Sequence, residues 1–207
     1  MRVFPFTKRE KCDTIERKEI VARMGMEKEK QNVTFALAEK GADAAIIGSK
    51  LNQKYLSDFD FDDGFVLVTK GQSYLITDFR YVEAATEQRN PELEVLMPNI
   101  GMLTCMGELL RENGCRKVMI EEETLSFADY GKYSEKLTGM ELCSGASALL
   151  EELRLYKDEK ELETMARAQA VTDAAFAHIL NFIKPEMTEI EVALELEFFM
   201  RRNGADG

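Results

Sequence analysis

The apolar residues after Asp158 predict a long amphipathic helix. They recur every three or four positions, which places them along one face of an α-helix. These residues are Leu162, Met165, Ala168, Val171, Ala175, Ile179 and Phe182. Glu161 lies three residues after Asp158, and this spacing is typical of a capping box at a helix N-terminus. Pro185 predicts the end of the helix, because proline lacks a backbone N–H.

A second amphipathic helix is predicted after Thr188, where Glu191 again has the spacing of a capping box. Its apolar residues are Ile190, Val192, Ala193, Leu194, Leu196, Phe199 and Met200. Glu191, Glu195 and Arg202 form a polar strip beside them, and Gly204 predicts the end of the helix. The segment after Asp158 therefore predicts two packed helices.

Between residues 27 and 156, short apolar runs alternate with helical patterns, and this alternation predicts a layered α/β domain. The predicted strands are 44–48, 65–69, 73–77, 93–97, 117–120 and 140–143. The predicted helices are 27–40, 51–56, one capped by Asp78, 102–111, 127–137 and 146–156. Gly71 supplies the tight turn of a hairpin between the second and third strands.

Composition and charge narrow the classes of partner. The chain is 45% hydrophobic, enough for an ordinary core, and its net charge is −11. This charge argues against nucleic acid, because phosphate binding needs clustered Lys and Arg, and against an anionic membrane surface. No apolar run reaches the length of a membrane helix, and the charged residues 8–11 do not fit a signal peptide. The cytoplasm is therefore the expected compartment.

The cysteines and the single histidine form no motif of a metal or redox site. Cys12, Cys105, Cys115 and Cys143 make no C-x-x-C pair, which indicates reduced thiols, some of them buried. His178 falls on the apolar stripe, where a histidine is more often a hydrogen-bonded core residue than a ligand. The sequence also lacks G-x-S-x-G, H-E-x-x-H, Walker and G-x-G-x-x-G motifs.

The densest group of carboxylates lies in SDFDFDDG, residues 57–64. The pattern is similar to a calcium loop, but Asp63 stands where that loop needs Gly, and the twelfth position is Thr69 rather than Glu. It favours a solvated loop with Phe59 and Phe61 directed inward. A metal site is the alternative.

Four longer phrases carry a family resemblance. LRLYKDEKELETM and ILNFIKPEMTEIEVALELEFFMRRNGADG resemble the entrance to the catalytic domain of the pita-bread metallopeptidases. GADAAIIGSKLNQKYLSDF and SYLITDFRYVEAA resemble the amino-terminal domain of the creatinase/prolidase family, and the chain looks most like Xaa-Pro aminopeptidase or prolidase (Xaa-Pro dipeptidase). The resemblance implies a mixed sheet flanked by helices, followed by two helices of an incomplete pita-bread domain. It divides the chain into an extension (1–25), the amino-terminal domain (26–150) and the opening helices of the peptidase domain (151–207).

The resemblance also implies candidate site residues. In the family the loop after Tyr55 lies towards the active site of a partner subunit, so Tyr55 and Asp58 are candidates for shaping the substrate mouth. A role for that loop in fixing its own domain is the alternative. Asp78, Arg80 and Tyr81 match the family phrase T-D-x-R-Y and are also candidates. Their plainer explanation is that Asp78 caps a helix, Arg80 pairs with a nearby acid and Tyr81 packs.

The family binds two divalent metal ions, such as manganese, through two Asp, one His and two Glu that follow the phrase ending here at Gly207. The chain is therefore expected to bind no cofactor, to be inactive alone, and to have a structural and dimerisation role. The complete enzyme would cleave proline-containing peptides at the Xaa-Pro bond. The alternative is a naturally truncated, non-catalytic interaction module. The apolar sides of the last two helices predict a homo-oligomer such as a dimer.

The chain departs from the family pattern at three places. Asp58 follows Ser57 where the family often has T-G, and Glu186 stands where it usually has Gly. The turn before the last helix is therefore expected to be built differently. Residues 1–25 match nothing in the family, which favours an extension without a function of its own. A functional segment and a translation start at Met24 or Met26 are the alternatives.

Overall fold

The protein is described by a computed structural model that covers residues 29–89 and 91–206. The helices are α1 (Glu29–Glu39), α2 (Lys50–Ser57), α3 (Val82–Gln88), α4 (Met102–Glu112), α5 (Phe127–Lys136), α6 (Ala146–Leu155), α7 (Glu159–Phe182) and α8 (Glu189–Arg202). The strands are β1 (Ala44–Ile47), β2 (Gly64–Thr69), β3 (Ser73–Thr77), β4 (Leu93–Leu96), β5 (Lys117–Ile120) and β6 (Glu141–Cys143). The chain divides into two compact units, the first ending at Tyr156 and the second beginning at Lys157. The predicted extension and the alternative starts lie outside the described residues.

The first unit contains one six-stranded mixed sheet with the strand order β4-β3-β2-β1-β5-β6. β2 runs antiparallel to β1 and β3, whereas the β3–β4, β1–β5 and β5–β6 pairs are parallel. Helices α1 and α6 contribute to the core on one face, and α4 and α5 to the core on the other. The predicted α/β class, with a mixed sheet flanked by helices, is confirmed.

The central strand β1 shows how the sequence specifies this arrangement. All four of its side chains are buried, as expected for a strand covered on both faces. Because successive side chains point to opposite faces, Ala45 and Ile47 join the core beneath α1, and Ala44 and Ile46 join the core beneath α4. The six predicted strands agree with the observed ones to within one residue at each end.

Asp43 aligns β1 with β5. Its carboxylate accepts hydrogen bonds of 3.0 Å from the backbone N–H groups of Arg116 and Lys117, and a bond of 2.6 Å from Lys70 Nζ. These contacts, led by the Lys117 backbone, hold the pKa of Asp43 well below its ordinary value. The side chain that precedes one strand therefore fixes the start of its parallel neighbour, 73 residues away.

The prediction that Asp78 caps a helix is wrong. Helix α3 begins at Val82, and its N-cap is Tyr81, whose side chain makes no capping hydrogen bond. The Asp78 carboxylate instead accepts a hydrogen bond of 2.9 Å from the Arg80 backbone N–H. An aspartate that bonds the backbone two residues on forms a local turn, and this turn precedes the helix.

Both predicted capping boxes are confirmed in the second unit. At the start of α7, Asp158 accepts from the Glu161 N–H at 2.7 Å, and Glu161 accepts from the Asp158 N–H at 2.9 Å. At the start of α8, Thr188 and Glu191 make the same reciprocal pair. The acidic residues in these first turns also complement the positive end of each helix dipole.

Helices α7 and α8 pack together around His178. Its Nε2 lies 2.7 Å from Glu195 Oε1, and its ring stacks on Phe199 with 4.4 Å between ring centroids. The predicted hydrogen bond is therefore confirmed, but His178 is only half-buried and is not a core residue. The predicted polar strip is wrong at Glu195, which faces α7 and bonds to His178. This contact satisfies a polar ring that is half-buried between the helices.

The apolar stripe of α7 is buried over only part of its length. Ala175 and Ile179 are buried, whereas Leu162 and Met165 are more than half exposed. Helix α8 has no buried residue. A single continuous buried face, as the periodicity predicts, is therefore not observed within the described residues.

The turn between α7 and α8 places a non-glycine residue in the left-handed region. Met187 N–H bonds to Lys184 C=O at 3.3 Å, so that Pro185 and Glu186 occupy the two central positions of a β-turn. Glu186 has φ 74°. This is a type II geometry, which favours proline first and glycine second. A side chain therefore stands at a position where glycine avoids strain.

Replacing Glu186 by glycine should stabilise the helical pair. The left-handed conformation costs a non-glycine residue about 1–2 kcal/mol, and the extra flexibility of glycine in the unfolded chain offsets about 0.5–1 kcal/mol of that. We expect Glu186→Gly to raise the free energy of unfolding by about 0.5–1 kcal/mol, measured by urea denaturation with far-UV circular dichroism. Glu163→Gly, at an exposed position in the second turn of α7, is the matched control and should lower the free energy of unfolding by about 1 kcal/mol. An equal or lower stability of Glu186→Gly would contradict the strain argument.

Candidate functional site

Two connections meet at one end of the sheet. Residues 58–63, which we call the site loop, join α2 to β2, and residues 78–81, which we call the site turn, join β3 to α3. Gly64 pairs directly with Thr77 in the β2–β3 ladder, so the end of the loop and the start of the turn are neighbours. The loop and the turn together contain four of the five predicted site residues.

The site loop folds around two inward-facing aromatic rings. Phe59 and Phe61 are buried, with 5.9 Å between their ring centroids, and Tyr81 meets Phe61 edge-on. Ser57 Oγ donates to the Gln53 carbonyl at 2.7 Å and accepts from the Phe59 N–H at 3.1 Å, which ties the loop to α2. The inward direction of both phenylalanines is as predicted.

Three carboxylates of the site loop, those of Asp60, Asp62 and Asp63, are exposed and paired with cations. Asp60 lies 3.0 Å from Lys54 Nζ, and Asp62 lies 2.7 Å from Lys50 Nζ. The hydrogen bond from Lys54 lowers the pKa of Asp60, and the bond from Lys50 lowers the pKa of Asp62. Both lysines belong to α2, so this helix supplies the positive charges for the loop that follows it.

Arg80 links the site turn to the site loop. Its guanidinium bonds to both oxygens of Asp78, at 3.0 Å and 3.2 Å from Nε, and also bonds to Asp63. These two carboxylates, Asp78 first, raise the pKa of Arg80 above its ordinary value. The Tyr81 hydroxyl lies 3.3 Å from Asp62 and adds a second link. The expected pairing of Arg80 with a nearby acid is present.

The five predicted site residues therefore fall into two groups. Asp78, Arg80 and Tyr81 form one cluster with the later residues of the site loop. Asp58, the first residue of the loop, ends α2 in the left-handed conformation, and Tyr55 packs against the core. Five further members of the cluster, Asp60, Asp62, Asp63, Lys50 and Lys54, were not predicted as site residues. Their signal in the sequence was the acidic run itself, next to two lysines four positions apart on a helix.

This cluster is suited to recognition rather than to proton transfer or nucleophilic attack. It presents alternating charges and the Phe79 ring, which is 78% exposed. Within residues 29–89 and 91–206, no three His, Cys, Asp or Glu side chains are grouped so that they could hold a metal ion.

A buried polar network supports α2 from its other end. The Glu121 carboxylate, only 3% exposed, accepts from the N–H groups of Gly48 and Ser49 at 2.6 Å and 2.8 Å. It also accepts from the Ser49 hydroxyl and the Asn52 amide, both at 2.6 Å. Arg154 donates to the Asn52 carbonyl oxygen. No sequence pattern indicates this network, because its hydrogen-bonded side chains belong to residues 69 to 102 positions apart.

Helix length and hydropathy bear on membrane insertion. None of the helices in the described part of the chain is long and apolar enough to span a membrane. The longest, α7, has 24 residues but carries charged side chains along its length.

Comparison with known proteins gives two family matches. Residues 30–156 match the creatinase/prolidase N-terminal domain, and residues 163–207 match metallopeptidase family M24. The uncharacterized peptidase YqhT of Bacillus subtilis is 33% identical over 166 residues, which are 80% of this chain and 46% of that protein. The chain spans about half the length of the curated relatives it matches.

Two solved structures are similar in fold. The Xaa-Pro dipeptidase from Bacillus anthracis is 35% identical with a TM-score of 0.81, and the match covers 86% of this chain and 49% of that chain. The N-terminal domain of the cytoplasmic peptidase PepQ from Mycobacterium tuberculosis is 28% identical with a TM-score of 0.55, covering 60% and 97%. The resemblance seen in the sequence phrases is confirmed. The chain therefore belongs to the creatinase/prolidase family, in the group of the Xaa-Pro peptidases.

Proposed function

We propose that this chain is the amino-terminal part of a metallopeptidase that cleaves Xaa-Pro peptide bonds, and that it works in the cytoplasm. The observation that carries the proposal is the pair of matches in order along the chain, a creatinase/prolidase domain followed by a metallopeptidase segment. The names of the relatives support the Xaa-Pro bond as the target. The compartment is supported by the name of the mycobacterial relative.

In this proposal the chain alone is inactive, and its first unit serves recognition and assembly. The divalent metal ions of the complete enzyme are bound by residues other than those described. The site loop and site turn face the substrate mouth of a partner subunit, where Arg80 and Phe79 are presented to a peptide. Two features support this role: the ion pairs of the site loop with α2, and the pair between Arg80 and Asp63 that joins the site turn to the site loop. Together they favour one orientation of the exposed charges.

A second candidate function is a non-catalytic interaction module. The observation that favours it is the amount of exposed apolar surface on α7 and α8 and at their ends. The exposed residues are Leu162, Met165, Phe176, Leu180, Ile183, Ile190, Leu194 and Phe198. A surface of this kind is typical of a binding interface.

The isolated 207-residue chain should release neither an amino-terminal residue nor proline from an Xaa-Pro peptide, with or without Mn²⁺. The protein captured from its native cells with an antibody against this chain should cleave the same peptide and lose activity with a chelator. Chromatography of the products measures both. Metal-dependent cleavage by the isolated chain would overturn the proposed inactivity. A native protein of this length, established by mass spectrometry and inactive, would favour the interaction module.

The isolated chain should also associate with itself. Exposed apolar side chains on α7 and α8 are removed from water when copies pair, which favours association. Light scattering at micromolar concentration should give a mass of about twice the 23.5 kDa chain or more. Leu194→Glu on α8 should shift the mass towards the monomer, whereas Lys132→Glu on α5 should not. A monomer in the unaltered chain would contradict this prediction.

Arg80→Gln in the native-length protein should raise the KM for an Xaa-Pro peptide by about tenfold and leave kcat within about twofold, because a charged contact used for binding alone is lost. Steady-state kinetics measure the change. The matched control is Lys132→Gln, which removes the exposed ion pair between Lys132 and Asp129 on α5. Equal effects of the two substitutions would count against a substrate-facing role for the site turn.

A further inference from the structure

The buried network around Glu121 also forms the N-terminal cap of α2. Ser49 is the N-cap residue, but its side chain makes no capping bond to the helix. Its hydroxyl and N–H bond instead to Glu121, which follows the last residue of β5. A carboxylate at a helix N-terminus is favoured by the helix dipole as well as by these hydrogen bonds. The start of α2 is therefore held by a residue that directly follows a strand of the sheet.

Arg154 completes the network from a third element. It donates to Asn52 Oδ1, while the Asn52 amide nitrogen donates to Glu121. The Asn52 amide thus bridges the guanidinium of Arg154 and the buried carboxylate of Glu121. A buried carboxylate is retained only where donors and positive charge compensate it. The end of α6, the start of α2 and the end of β5 are consequently held in one arrangement.

Helix α2 transmits this arrangement to the site loop. Gln53 Nε2 donates to the Gly64 carbonyl at 2.7 Å, just beyond the loop. Ser57 holds the Phe59 backbone, and Lys50 and Lys54 hold the carboxylates of Asp60 and Asp62. These contacts run from the first turn of α2 to its last, so a shift of the helix displaces the loop.

We propose that Arg154 is a positioning residue for the site loop, acting through Asn52, Glu121 and α2. Arg154 lies in the last turn of α6, three residues before the second unit begins at Lys157. The relay therefore connects the segment that leads into the second unit with the surface proposed to meet substrate. The inference rests on the proposed function of the site loop, but the hydrogen-bond relay is a property of the first unit alone.

Hydrogen–deuterium exchange of the 207-residue chain tests the relay directly. Arg154→Leu should speed exchange in peptides covering residues 50–63 by about tenfold and leave β2, β3 and α4 within about twofold. Arg116→Gln, at an exposed position before β5, is the control and should change neither. Exchange that rises evenly over the whole sheet, or that does not change at residues 50–63, would overturn the proposal.

A double substitution and a milder variant keep the test decisive. Asn52→Leu removes the relay by itself, so adding Arg154→Leu to it should speed loop exchange by less than about twofold further. Fully additive effects would show that Arg154 acts by another route. If Arg154→Leu does not fold, Arg154→Lys retains the charge with a single donor group, and should raise exchange at residues 50–63 by a smaller factor.

Kinetics of the native-length protein separate this proposal from the proposed function. Arg154→Lys should raise the KM for an Xaa-Pro peptide, as Arg80→Gln does, with little change in kcat. Faster loop exchange without a change in KM would leave Arg154 as the positioning residue and overturn the substrate-facing role of the loop. A changed KM with unchanged loop exchange would overturn the positioning role itself.

Discussion

The buried carboxylate of Glu121 is the constraint on which the arrangement of the first unit depends. A buried charge that loses its partners destabilises a protein by about 3–5 kcal/mol, so the elements that supply its donors are held within reach of it. Those elements are the start of α2 and, through Asn52, the end of α6. Lys50 and Lys54 of α2 pair with carboxylates of the site loop, which follows the other end of the helix. The position of the Glu121 carboxylate therefore affects the position of the site loop.

In the site loop, aromatic and acidic side chains alternate. Phe59 and Phe61 enter the core, while Asp60 and Asp62 between and after them face solvent. The aromatic rings anchor the backbone, and the carboxylates are then close enough to α2 for its lysines to neutralise them. Exposed ion pairs are weak individually, about 0–1 kcal/mol, so the anchoring comes mainly from the two buried rings. The ion pairs determine which way the charged surface points.

Local features of this protein could be predicted from its sequence, and long-range ones could not. The capping boxes at Asp158 and Thr188 depend on residues three positions apart, and both are observed. The relay from Arg154 to Glu121 joins residues far apart in sequence, and no local pattern predicts that they are in contact. Glu195 belongs between these cases: its helix was predicted, but its direction depends on His178 in the preceding helix. The candidate site residues were predicted from family phrases rather than from chemistry, since carboxylates and cations of this kind are common on protein surfaces.

The ends of the mixed sheet have a consequence for how copies of this chain can meet. β6 has three residues and β4 has four, and an exposed glutamate occupies each of them, Glu141 and Glu94. Edge strands expose unpaired N–H and C=O groups that can recruit another strand, and short or charged edges resist this. Pro98 follows β4 closely and cannot donate a backbone hydrogen bond. A continuous sheet between two copies is therefore disfavoured at both edges. Any association of copies would use side-chain surfaces, where residue identity rather than backbone geometry selects the partner.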